Sequence, residues 1–232
     1  MTLLHIDADR RDVQLIDIPR ELAITGSAAE PRVLADVYTD DGAAATVEAV
    51  EQTVGIRVQH VALASLSGTS RLIDLLGGVP VDNPVNASCV GFVFPRGEIT
   101  LSGDEALAYT REGVAAGEFD PAHRRQLVLT GIVTRLLTGD AMLNPGTARA
   151  VLDQLATVVV VDSGLDNLRL IDLVVDLHRK LAVRTPTTIR LPTAGWGTSP
   201  SGRRYVVADV PRVAALAQAI NTDTVHAWQQ RR

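Results

Sequence analysis

The chain has 232 residues, is 46% hydrophobic and only 3% aromatic, and carries a net charge of −5 with a single cysteine. This composition excludes an intrinsically disordered segment, an intrachain disulfide scaffold and a general polyanion binder, and it leaves few rings on which nucleic-acid bases could stack. The core must come from Leu, Val, Ile and Ala, and any anion site must be a local cluster of cations.

The first residues read as a strand that begins at once, not as a targeting segment, because the short apolar run has no basic flank. Strands are expected over 2–6 and 13–18 around a charged turn, which places Pro19-Arg20-Glu21 just past a strand end. Residues 26–32 read as a loop. An amphipathic helix follows over 43–54, with Val47, Val50 and Val54 on one side and Gly55 as its cap. Next come a strand over 57–63, a helix over 67–76 closed by Gly77-Gly78, and extended chain over 79–81. After a short strand at 99–101, Ser102 and Glu105 have the spacing of a capping box for a helix from about Gly103. Pro121 suits the first turn of a helix reaching Leu137. A linker over 139–146, a helix over 147–155, a buried strand over 158–161 and a helix over 167–181 complete the middle of the chain. Strands at 187–191 and 205–208 flank a Gly/Ser/Pro loop, and a last helix runs over 211–220. Strands and helices alternate without an internal repeat or a long linker. The expectation is a single α/β domain over 1–232, a sheet covered by helices on both faces.

The stretch GDEALAYTREGVAAGEFDPAHRRQ gathers cations at two helix ends. Arg111 follows one helix, and His123, Arg124, Arg125 and Gln126 open the next. Guanidinium groups suit phosphate because their planar donor fork is bidentate and permanently charged, and a helix N-terminus adds backbone donors. From the residues alone, a diphosphate clamp and a solvated charged face both remain open. Asp120 reads either as the N-cap of the helix begun by Pro121 or as a Mg²⁺ ligand. Arg20 reads as a surface arginine or as another phosphate clamp, with Glu21 orienting it or binding metal. His5, His60, His178 and His226 show no metal-ligand spacing, and no P-loop, nucleophile elbow or dinucleotide fingerprint is present. Leu72, Ile73, Leu75, Leu76, Leu127, Val128, Leu129, Ile132 and Val133 are either plain core or the lining of a lipid tunnel. Cys89 reads as a buried, inert thiol.

Taken in order, IPRE, then GIRVQHVALASLSGTSRLIDLLGGVPV, then GEITLSGDEALAYTRE, then DPAHRRQ resemble the LytR-CpsA-Psr family, whose members carry I-P-R-D, L-V-D-x-L-G-G-V, L-x-G-x-x-A-L-x-Y-x-R-x-R and a downstream Arg-Gln helix. The resemblance covers most of the chain from Thr2 to about Leu137, and the tail is similar to actinobacterial members. It implies a three-layer α/β/α sandwich with a central mixed sheet and a long apolar pocket for a polyprenyl chain. It also implies transfer of a glycopolymer from a polyprenyl-diphosphate carrier to peptidoglycan, assisted by Mg²⁺. On that basis Arg20, Arg111, Arg125 and Gln126 are the expected catalytic set, Arg124 and His123 substrate-binding, and Asp120 and Glu21 metal-binding. Glu21 stands where the family has Asp, Gly113 stands where a second arginine belongs, and the family's first N-terminal element, an R-x-D-T-like stretch, is not in the chain. The resemblance places the protein at the outer face of the cytoplasmic membrane or in the cell wall, touching membrane only through a lipid substrate or an anchor outside this sequence. The alternative is a non-catalytic relative that binds polyprenyl phosphate or diphosphate. A nucleic-acid-binding regulator fits worst, given the acidic charge and the missing DNA-binding helix signature.

Overall fold

The computed structural model describes residues 1–24, 30–64, 66–111, 121–162, 164–165, 167–181 and 186–230. In chain order the first elements are β1 (Thr2–Ile6), β2 (Val13–Asp17), α1 (Leu34–Val54), β3 (Ala62–Ala64), α2 (Leu66–Leu75), β4 (Val79–Asn83), β5 (Ala87–Cys89), β6 (Phe92–Phe94), β7 (Gly97–Leu101) and α3 (Gly103–Arg111). They are followed by α4 (Pro121–Thr138), a 3₁₀ turn (Asp140–Leu143), α5 (Pro145–Val158), β8 (Val159–Val161), α6 (Asn167–Leu181), β9 (Thr187–Arg190), β10 (Thr193–Thr198), β11 (Arg204–Ala208), α7 (Val210–Asn221) and α8 (Val225–Gln230). The mixed α/β class expected from the alternating pattern is present. The chain gathers into two compact units. One comprises Met1–Asp9, Gln14–Gln59 and Thr188–Arg232; the other comprises Arg10–Val13 and His60–Thr187.

The first unit is built on a sheet of order β1-β2-β9. Its central strand β2 is buried from Val13 through Ile16, Gln14 included, so the alternation that marks a half-exposed strand is blurred. Ile16, Ile18, Leu22, Leu34, Val206 and Leu216 lie in its hydrophobic cluster. Burying each such aliphatic side chain contributes about 1.5–3 kcal/mol. Helix α1 starts at Leu34, earlier than the expected 43, because two helical segments join across a kink at Gly42. The Gly/Ser/Pro stretch expected to be loop contains β10, which pairs antiparallel with β11.

The second unit pairs β4 with β7 from Val79↔Leu101 to Asn83↔Gly97, and β3 with β8 through Leu63↔Val160. Leu72, Ile73, Leu76, Val128, Ile132 and Leu136 belong to one buried cluster there, with Leu75 and Leu127 partly buried against it. Helix α2 ends in a Schellman motif: the Gly78 N–H donates to Ile73 O at 2.9 Å and the Gly77 N–H to Asp74 O at 3.0 Å. Both glycines have positive φ, 76° and 88°. An L side chain is disfavoured in that conformation, which is the physical content of the LGGV motif.

That motif is tied to the next one. The Asp74 carboxylate accepts the Gly103 N–H at 2.8 Å, and a Cβ on Gly103 would stand 2.3 Å from Ser70 O, so only glycine lets α3 begin there. The expected capping box forms: the Ser102 N–H donates to the Glu105 carboxylate at 2.8 Å, and the Glu105 N–H to Ser102 Oγ at 3.4 Å. Helix α4 lies against β4, where a Cβ on Gly131 would stand 2.6 Å from Pro80 O. Arg135 Nε donates to Gly78 O at 3.1 Å from the same helix.

Candidate functional site

The polar centre of the second unit starts from Asn83, the last residue of β4. Its side-chain amide donates to the carbonyls of Val85 at 2.6 Å, Phe94 at 3.0 Å and Pro95 at 2.8 Å. Its oxygen accepts the hydroxyl of Tyr109 at 3.0 Å. A buried amide satisfied from both ends fixes where the end of the β5–β6 hairpin meets α3. The Tyr109 ring stands edge-on to Phe94, with centroids 5.1 Å apart and an interplanar angle of 74°. The guanidinium of Arg124 lies 4.6 Å above the same ring. Burial of a guanidinium is costly in itself, and the ring face recovers about 0.5–2 kcal/mol of that. This contact sets the first turns of α4 beside the last turn of α3.

The sequence-predicted residues fall as follows. Arg111 ends α3 and is exposed, Arg125 is exposed on α4, and His123 is half-buried. Arg124 is 1% exposed and Gln126 4%. Neither the nitrogen nor the oxygen of the Gln126 amide has a hydrogen-bond partner among the described residues. An unengaged buried amide costs about 1–3 kcal/mol. Arg20 and Glu21 belong to the first unit, where Arg20 Nε stands 3.3 Å from Glu21 Oε1 and both side chains are substantially exposed. Asp120 and Gly113 lie outside the described residues. Among the described residues no group of three or more His, Cys, Asp or Glu side chains gathers to hold a metal, and Glu21 is already paired with Arg20.

Sequence reasoning assigned no role to Asn83 or Tyr109. Tyr109 stood inside the A-L-A-Y-T-R motif and could have been flagged there; Asn83, in an Asn/Pro-rich turn, carried no signal. A second polar junction closes β3 onto β8. The carboxyl of Asp162 is held down at about 2, first by the Val61 N–H, then by His60 and the N–H groups of Gly164 and Leu165, against the opposing effect of burial. The Val61 N–H lies 2.6 Å from it and His60 Nδ1 3.3 Å. Three of its four partners are backbone N–H groups, two in the loop after β8 and one, Val61, immediately before β3, so this junction ties that loop to the strand β3.

The model of the LytR_cpsA_psr family matches residues 1–221. The chain belongs to this family. It is 32% identical over 184 residues to the cell wall biosynthesis protein LcpA of Corynebacterium glutamicum, an alignment covering 77% of the chain and 35% of LcpA. Over 173 residues it is 28% identical to the polyisoprenyl-teichoic acid–peptidoglycan teichoic acid transferase TagU of Halalkalibacterium halodurans, covering 72% of the chain and 56% of TagU. The chain therefore spans about a third to a half of the curated relatives it matches. The crystal structure of B. subtilis TagV superposes with a TM-score of 0.77 at 19% identity, covering 94% of the chain and 86% of TagV, which establishes a shared fold. Among the described residues no helix is long and apolar enough to cross a membrane.

Proposed function

We propose that this LytR-CpsA-Psr protein transfers a glycopolymer from a polyisoprenyl-diphosphate carrier to peptidoglycan at the outer face of the cell membrane. The observation that carries the reading is Gln126. Its buried amide is unengaged among the described residues, on the helix that presents Arg124 and Arg125, beside the helix end that presents Arg111. Cations and a neutral amide at a helix N-terminus suit a phosphate ester whose charge grows during transfer. The names of relatives, a teichoic acid transferase and a cell wall biosynthesis protein, agree with this chemistry.

In the proposed step an acceptor sugar hydroxyl attacks the phosphorus next to the polymer. The P–O bond to the polyisoprenyl phosphate breaks, the lipid phosphate leaves with the electron pair, and the hydroxyl proton passes to solvent. A phosphodiester between polymer and acceptor remains. Arg111 and Arg125 are assigned to the donor's diphosphate, whose lipid-side phosphate leaves, and Gln126 to orientation. Arg124, stacked on Tyr109, holds the geometry and lends its charge. Leu129 and Val133, three and seven positions beyond Gln126, share its helix face, and both are only half-buried. We assign them to the isoprenyl chain. Mg²⁺ enters the proposal as the ion accompanying the diphosphate, and no described carboxylate is assigned to hold it.

The test is release of polyisoprenyl phosphate, with label appearing on peptidoglycan, from a lipid-linked polymer donor. Turnover that is lost in Gln126→Leu supports the reading. Donor that binds without turnover in the unmutated chain overturns it in favour of a lipid-binding role.

A further inference from the structure

The first unit holds a surface feature that the transfer chemistry does not use. The chain has two tryptophans, Trp196 and Trp228. Trp228 packs against the core of its unit, whereas Trp196 on β10 is 57% exposed. The guanidinium of Arg204, on the paired strand β11, lies 4.5 Å over the indole. Arg204 makes no ion pair among the described residues, so its charge is uncompensated there.

The hairpin carrying this pair is anchored. Arg203, next to Arg204, makes a bidentate pair with Asp36 on α1, at 2.6 and 2.7 Å. The Ser199 N–H donates to Arg203 O at 2.9 Å, closing the turn. The Tyr205 ring lies over the backbone of Gly197, where a Cβ would meet the ring at 2.4 Å, so the other side of the hairpin is held by an aromatic as well. A rigid indole exposed to water in a protein with 3% aromatic residues has been given up by the core.

We infer that Trp196 and Arg204 form a binding platform for an N-acetylated, carboxylate-bearing glycan strand. The choice of ligand rests on the transferase reading above; the platform itself does not. A pyranose ring presents an apolar C–H face that suits a flat, exposed indole, and its rim of hydroxyl and acetamido groups stays hydrated. The unpaired guanidinium beside the ring adds a bidentate donor for a carboxylate, as carried by a lactyl ether or a peptide stem. A lipid tail has no use for the cation, and a nucleic acid would need more than one ring and a wider basic surface.

The experiment uses the full chain without any lipid donor. Trp228→Phe leaves Trp196 as the sole tryptophan reporter, and calorimetric titration of the unmutated chain gives the same answer without it. The probes are N-acetylchitotetraose, which is neutral, and a disaccharide-dipeptide muropeptide, which carries carboxylates. Both are expected to quench Trp196, the muropeptide binding several-fold more tightly. Trp196→Ala should weaken both by about ten-fold or more, equivalent to about 1.4 kcal/mol. Trp196→Phe should retain part of the binding, and Arg204→Gln should erase only the preference for the muropeptide. No emission change or heat with either probe up to about 10 mM, or full binding by Trp196→Ala, overturns the platform. Equal affinity for the two probes overturns the role of Arg204. Arg149→Gln, at an exposed position of the second unit, should bind both probes normally. Glycan binding without polymer transfer would therefore sink the transferase reading alone, and transfer without glycan binding would sink the platform alone.

Discussion

The two units treat polar chemistry in opposite ways. In the second, Asn83, Tyr109 and Arg124 are buried on neighbouring secondary-structure elements and hold one another at 3.0 and 4.6 Å, and Gln126 is buried on the same helix as Arg124. In the first, Gln14 is as buried as Gln126 and its amide oxygen has no partner among the described residues, but the ion pairs lie at the surface: Arg20 with Glu21, Arg203 with Asp36, Arg32 with Asp40 and Asp41. Burial makes each interaction of the second unit consequential, because a group left unpaired there loses its hydration. At the surface of the first, solvent and salt replace whatever is removed. The polar centre of one unit is thus built to hold a geometry, while the charges of the other trim its surface and fix its hairpin.

That contrast can be broken by four measurements. The largest effect belongs to Tyr109→Ala, which removes the ring beneath Arg124 and the hydroxyl bonded to Asn83. A loss of about 3–5 kcal/mol is expected in denaturant unfolding. Tyr109→Phe should cost only about 1 kcal/mol, the worth of one hydrogen bond. If both changes are equally mild, the buried centre is not what supports α3 and α4. Gln126→Leu comes next, with turnover expected to fall on the order of 10²-fold while unfolding stability rises by about 1–3 kcal/mol. A variant that is both less active and less stable would mean the amide serves the fold.

Two smaller effects concern exposed groups. The carboxyl of Asp162 sits at about 2, below its ordinary 3.8, so the unfolded chain takes up the proton first as the medium is acidified. The stability this adds is present above about pH 4 and drains away between about pH 4 and 2. The melting temperature of the unmutated chain should therefore fall more steeply across that window than that of Asp162→Asn; parallel curves would remove the assignment. Arg203→Lys should do least. Its bidentate pair with Asp36 becomes a single contact, and a small drop in melting temperature should vanish in about 1 M salt.

Local signals in the sequence were read well where the physics is local. The capping box of Ser102 and Glu105, the glycine stop after Leu76 and the helix over 167–181 all depend on neighbours within a few residues. The β5–β6 hairpin was missed because its strands are three residues each and its turn places Val90 at φ 50°, where a β-branched residue gives no turn signal. Strand β10 hid behind Gly195 and Gly197. Of the candidate site, Arg111 and residues 123–126 are legible in the sequence because they stand at two helix ends close in the chain. The partners that place them were not, since Asn83 and Tyr109 meet across 26 positions and nothing local to Asn83 marks it.

Gly131 has a consequence for how such a protein could be altered. With no side chain there, the backbone of α4 is seated against Pro80, five residues along from Gln126, or about 7.5 Å of helix. That seat leaves no room for a side chain at 131. The amide and guanidinium groups of Arg124, Arg125 and Gln126 are carried by a helix whose place against β4 depends on that close approach. Anyone seeking to accept a different polymer should redraw the walls around that helix and leave its mounting alone.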